Sequence, residues 1–233
     1  MIATFIFQAA RFATVAFALF PVFAEQLFAQ DLTVTMVEDG DMETVYLSPT
    51  AMRYVTSSDD FIIRIDQRKY IMVDNRAKTY SEMSFDRLQQ MKAETDRRLD
   101  PKEAQGLKKT LGWNGKDAKA TRVGAGDTIL GYKTEKYLLT GPFGPFEVHV
   151  ASSIQVPAAY YEAMKLSGGM GPFSSFAESF KEIKGLVLKQ VSTSKVFGSV
   201  ITSTSVASKV DPSPIPAARF APPSGYKNVP PEF

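Results

Sequence analysis

Residues 61–83 read FIIRIDQRKYIMVDNRAKTYSEM. In the opening segment Phe61, Ile63 and Ile65 share one face, while Arg64 and Asp66 share the other. That period of two marks a half-buried β-strand. Two further strand-like segments follow, KYIMVD and KTYSEM, separated only by Asn75-Arg76-Ala77. Connections this short join antiparallel neighbours, so the stretch reads as part of a β-meander.

The same pattern extends upstream. LTVTMVED (32–39), METVYLS (42–48) and TAMRYVTS (50–57) are punctuated by turn signals at Asp39-Gly40-Asp41, Ser48-Pro49 and Ser57 to Asp59. Downstream the period changes. Ser84 is a suitable N-cap, and Leu88, Met91, Thr95 and Leu99 recur at helical spacing, predicting one amphipathic helix over 84–99, ahead of Pro101. Residues 102–118 are rich in Lys and Gly and read as irregular, with Trp113 as an anchor. Strands resume at Lys119 as KATRV (119–123), DTILGYKTEKYLLT (127–140) and PFEVHVASS (145–153), the last two joined by the GPFGP turn.

A different composition occupies 157–184. Pro157 suits a first helical turn, Gly168, Gly169 and Gly171 interrupt, and Ser174 or Ser175 caps a second helix bearing Phe176, Phe180 and Ile183. Long strands return as GLVLKQVSTSK (185–195) and SVITSTSVASKV (199–210), followed by a proline-rich tail from Pro212. There is no internal repeat and no obvious linker, so residues 30–233 read as a single, mainly β (α+β) domain.

The first 29 residues stand apart. Arg11 precedes an apolar run from Phe12 to Phe20, Pro21 breaks it, and small residues offer cleavage after Ala24 or Ala29. This is the charged, apolar, small order of a secretory signal, and the run is shorter than the roughly 20 residues of a membrane-spanning helix. The expectation is an exported protein, periplasmic in a Gram-negative cell and otherwise secreted, with no later segment able to span a bilayer as a helix. The absence of Cys excludes disulfides, thiolate chemistry and lipid attachment at an N-terminal Cys. A formal charge of +2 gives no reason to expect nucleic acid as a partner.

The chemically suggestive residues have plain structural readings. His149 is the only histidine and sits in an alternating strand without Cys or clustered carboxylates, so it is poor metal-site material. Glu38, Asp39 and Asp41 resemble a calcium loop only in charge; a hairpin turn explains Asp-Gly better. Ser192 and Lys195 match S-x-x-K but lack the companion elements of serine acyl-enzymes. Gly124-Ala125-Gly126 reads as a turn, without the G-K-[ST] of a phosphate loop. Arg97, Arg98, Lys108 and Lys109, interleaved with Asp96, Asp100 and Glu103, read as a solvated face. No catalytic residue, metal ligand or cofactor site is expected. A transmembrane barrel is disfavoured by Pro230 and Pro231 in the ending and by polar strands such as STSVASK.

Five segments together, AMRY (51–54), IIRIDQRKYIMVDNRAKTYSEM (62–83), GYKTEKY (131–137), GLVLKQ (185–190) and FAPPSGY (220–226), resemble an uncharacterised exported domain family in the superfamily of LolA-like and LppX-like periplasmic carriers. The resemblance runs from about Leu32 to Lys227. It implies a strongly curved antiparallel sheet forming an unclosed half-barrel, with helices across the concave face and an apolar ligand such as an acyl chain between them. It brings no catalytic residues.

A curved sheet needs cover for its apolar face, and the predicted helix and the 157–184 insert are the available elements. The insert carries Tyr160, Met164, Met170, Phe173, Phe176 and Phe180 around its glycines. One reading makes these six side chains a lid over a ligand cavity, since Met adapts to varied partners and Gly permits hinging. The other makes them a permanent packed core. Two function classes follow: a soluble binder of a lipid, lipidated protein or other apolar ligand, or a protein-interaction module using an exposed sheet edge. Oligomeric state is left open.

Overall fold

The computed structural model describes residues 31–98, 119–141, 144–157, 160–161, 183–196 and 199–231. The signal-like segment, the 102–118 stretch, Pro142 and Phe143 of the GPFGP turn and most of the 157–184 insert lie outside them, as do Met164, Met170, Phe173, Phe176 and Phe180.

Six strands form where the alternation places them: β1 (Leu32–Glu38), β2 (Asp41–Leu47), β3 (Ala51–Val55), β4 (Asp60–Arg64), β5 (Lys69–Asp74) and β6 (Thr79–Ser84). Each pairs antiparallel with the next. Asp39 and Gly40 form the two-residue turn between β1 and β2, both with positive φ, the backbone that matches strand twist in tight hairpins. Helix α1 (Phe85–Arg98) follows, its first turn capped by the Ser84 hydroxyl, which accepts the Arg87 N–H at 3.2 Å.

A second meander comprises β7 (Lys119–Ile129), β8 (Tyr132–Gly141), β9 (Gly144–Ala151), β10 (Leu186–Val196) and β11 (Ser199–Asp211). Two sequence expectations are corrected here. The segment 127–140 is not one strand: Leu130 and Gly131 take positive φ and form a hairpin turn between β7 and β8. Gly124-Ala125-Gly126 is not a turn; it lies within β7, beside two register shifts against β8.

The two meanders join because β11 pairs with β1. The result is one sheet ordered β12-β6-β5-β4-β3-β2-β1-β11-β10-β9-β8-β7, not closed among the described residues. Every pairing is antiparallel except that of β12 (Lys227–Asn228), a two-residue strand lying parallel to β6.

Register fixes which side chains share a face. Leu32, Leu47, Met52, Ile63, Tyr70 and Met83 form one row across β1 to β6, and Val34, Val45, Tyr54 and Phe61 the next. This face joins the largest buried cluster, which also holds Phe85 and Leu88 of α1 together with Ile129, Leu186 and Leu188. On the opposite face of β3 to β5, Ala51, Ile62, Ile71 and Val73 pack against Phe220, with Ile215 and Tyr226 alongside. The proline-rich tail is therefore a cover, turned by a 3-10 segment at Ala217–Phe220.

That cover is held by polar contacts in its shadow. Arg53 donates from Nε and Nη2 to both Asp60 oxygens, at 2.8 and 2.6 Å, and from Nη1 to the Arg219 carbonyl at 3.0 Å. Asn75 donates to Asp60 and accepts from the Tyr226 hydroxyl. Arg64 pairs with Asp66 and reaches the Phe220 carbonyl, while the Arg219 guanidinium lies 4.8 Å from the Tyr46 ring centroid.

Candidate functional site

The first face leaves a pocket of about 370 Å³ where β1, β2 and β3 approach β10 and β11. Its lining follows from strand register. From β1 come Val34, Met36 and Glu38, alternate residues that point to one side. Opposite them β2 supplies Val45 and Glu43, and β3 adds Met52 and Tyr54. Across the junction of the meanders, Ser205 of β11 stands opposite Glu38, and Gln190 of β10 stands opposite Ser205.

The pocket consequently has a gradient along β1. Leu47, Met52 and Val34 line one end; Glu38, Glu43, Ser205 and Gln190 gather at the other, near the β1–β2 turn. The four steps of strand from Val34 to Glu38 span roughly 13 Å at about 3.3 Å per residue.

Electrostatics sharpen that polar end. Burial pushes the Glu43 carboxyl above its ordinary range; a hydrogen bond from Tyr54 opposes this, and the nearby Glu38 charge reinforces it. The Tyr54 hydroxyl is raised by burial and by Glu43. Glu38 accepts a hydrogen bond from the Ser203 hydroxyl. Among the described residues, neither carboxylate has a Lys or Arg ion-pair partner.

Of the six side chains anticipated as ligand contacts, Tyr160 is described, and it lines this pocket. Burial pushes its hydroxyl up to about 12, and its ring meets Tyr161 edge-on at 5.6 Å. The other five lie outside the described residues. A second pocket, about 470 Å³, adjoins Ile154, Val156, Tyr161 and Gly185, where the insert leaves and rejoins the sheet.

His149 is engaged elsewhere. It is 2% exposed, and its Nδ1 accepts the Asp127 backbone N–H at 3.0 Å. The ring proton therefore sits on Nε2, facing Glu147 Oε1 at 2.9 Å. Lys189 pairs with Asp127 at 2.7 Å and Lys136 with Glu147 at 2.7 Å. Those lysine contacts are the leading cause that holds both carboxyls below their ordinary range. Gly126 permits the arrangement: a Cβ there would lie 2.4 Å from Thr134 Oγ1 and 2.8 Å from His149 Nδ1. Ser192 stands in β10 opposite Phe146 and Ser203, as an ordinary ladder residue.

Fold and pocket together define a class: an open, mainly antiparallel sheet whose central strands line a half-open, largely apolar pocket with an acidic end. The chain belongs to the family described as a domain of unknown function, DUF4412, whose model matches residues 31–226. No curated protein matches it. Among solved structures it is similar to an uncharacterized conserved protein from Thermus thermophilus, with a TM-score of 0.50 and 8% identity over 88% of this chain and 93% of that one. At that identity the likeness speaks for the fold alone. Two structures of PNGF-II, in C2 and P21 space groups, align with TM-scores of 0.43 and 0.45 at 13% and 14% identity, over 87% and 86% of this chain. The alignment covers 31% of the PNGF-II chain in each.

Proposed function

We propose that this is an exported, soluble binding protein for a lipid, a lipidated protein or another long apolar molecule, held on the concave side of a half-barrel. The observation that carries the reading is the pocket of about 370 Å³ with Val34, Met36, Val45 and Met52 in its wall. Its volume falls in the range of small-molecule sites, roughly 300–1,000 Å³. The resemblance to LolA-like and LppX-like carriers agrees with it, and the order of residues Arg11 to Ala29 supports export. Binding rather than catalysis is favoured because His149 spends both ring nitrogens on structural contacts.

The alternative, a partner strand added to a sheet edge, has weaker support. At one edge β12 offers two residues. At the other, β7 shifts register twice, and bulges of that kind blunt edge pairing.

Magnitudes bear on what kind of ligand would bind. Burying about eight methylenes contributes roughly 6 kcal/mol, and association costs about 4 kcal/mol or more. Apolar contact alone then leaves on the order of 2 kcal/mol, a weak complex, so the polar end must contribute as well. The test uses a neutral apolar fluorophore, N-phenyl-1-naphthylamine, titrated into the purified protein. The reading expects saturable enhancement that is lost in Met36→Trp, where the larger side chain fills the pocket. Absence of enhancement in the wild type would remove the reading's basis.

A further inference from the structure

From the acidic end of this pocket we infer that its ligand carries a cationic head on an apolar body, an alkylammonium-type amphiphile rather than a fatty acid. The inference rests on the pocket being a ligand site, and it deepens that reading by assigning the head group.

Charge complementarity along a single cavity assigns the head group. Val34, Met36 and Glu38 are alternate residues of one strand, so the wall changes from aliphatic to anionic within the length of the pocket. The strand pairing brings the polar groups together. Glu38 stands opposite Ser205, Ser205 opposite Gln190, and Glu43 opposite Met36, one step along from Glu38. Two carboxylates, an amide and a hydroxyl offer mainly acceptors to a guest. A carboxylate or phosphate head would meet like charge there. An ammonium head would meet two half-buried carboxylates that lack an ion-pair partner among the described residues.

The protein carries this arrangement at a cost. Burial and the neighbouring Glu38 both disfavour ionised Glu43, and only the Tyr54 hydrogen bond works against them. A cation seated between the carboxylates would relieve the repulsion and replace lost hydration. The same cation gains little from the rest of the wall, where Val45, Leu47 and Met52 are apolar. The head is therefore directed to the β1–β2 turn end and the chain to the Leu47 end.

Three probes of equal chain length separate the possibilities: dodecylammonium, dodecanoate and 1-dodecanol, each titrated calorimetrically at neutral pH below its aggregation concentration. The inference expects dodecylammonium to bind about tenfold tighter than dodecanoate, the effect of one or two half-exposed charge contacts. In the double variant Glu38→Gln with Glu43→Gln the preference should collapse toward parity. Circular dichroism would confirm that the variant keeps its sheet, and single substitutions would serve if it does not. Equal or tighter binding of dodecanoate by the wild type, or a preference that survives in folded charge variants, overturns the cationic head while leaving the apolar pocket standing. Failure of all three probes to bind overturns the pocket reading, and this inference falls with it.

Discussion

At the residue scale, Glu43 gives a pH dependence with a definite sign. Its carboxyl is raised above the ordinary range in the folded protein, by burial first and by Glu38 second. A raised acid favours the fold when protonated, so its contribution is fully present below the unfolded value and is lost as pH rises through the folded one. Glu43→Gln imitates the protonated form and keeps an acceptor for Tyr54. It should raise the melting temperature at pH 7 and leave it unchanged at about pH 3; an equal shift at both values would contradict the assignment. His149 gives a second expectation. Replacing it with Ala strands the Asp127 N–H and opens a cavity at a site that is 2% exposed, which should cost about 1–3 kcal/mol for the stranded group alone. Gly126→Ala should also be destabilising, because its Cβ collides with Thr134 Oγ1 and the imidazole, and urea denaturation of both variants measures the losses. In the sequence His149 reads as a structural strand residue without clustered carboxylates, whereas the fold sets Glu147 and Asp127 against its ring. The sequence could not show that Gly126 serves close approach, since glycine spacing looks the same in a turn.

Among elements, the tail and β3–β4 are coupled by the Arg53–Asp60 pair, whose side chains are 10% and 2% exposed. Breaking a buried pair leaves one charge uncompensated, so Arg53→Met should cost about 3–5 kcal/mol, whereas Arg53→Met with Asp60→Leu should cost much less. Urea denaturation of the singles and the double measures the difference; additive losses would show that the pair is not a unit. Arg53 also holds the Arg219 carbonyl, so limited proteolysis of the single variant should cut first in 212–231.

Much of this scale was legible in the chain. Strands β1 to β6 and the start of α1 follow from a period that switches from two to 3.6 at Ser84. The turn at Leu130-Gly131 was not legible, because Leu at a φ of 50° gives no turn signal. Nor was β12, a two-residue strand set among prolines. The pocket was only partly legible. Tyr160 was anticipated from its aromatic surroundings, but Glu38 and Ser203 are 165 residues apart and meet through the β1–β11 junction. Local periodicity tells which residues share a face of one strand, not which distant strand lies beside it.

For the whole molecule, that junction is the decisive feature. Two meanders, the second interrupted between β9 and β10 by the long insert, become one sheet only where β11 pairs with β1, and the pocket sits against that seam. Among the described residues no helix is long and apolar enough to cross a membrane. The central claim is that the seam pocket takes an apolar ligand. Methyl-detected NMR during titration with 1-dodecanol tests it most directly, because Val34, Met36, Val45, Leu47 and Leu186 all present methyl groups there. The predicted result is shifts confined to these residues and their packing neighbours that grow with added dodecanol. Unmoved pocket methyls, or shifts scattered over exposed side chains such as Met42, Val123 and Val200, would contradict it.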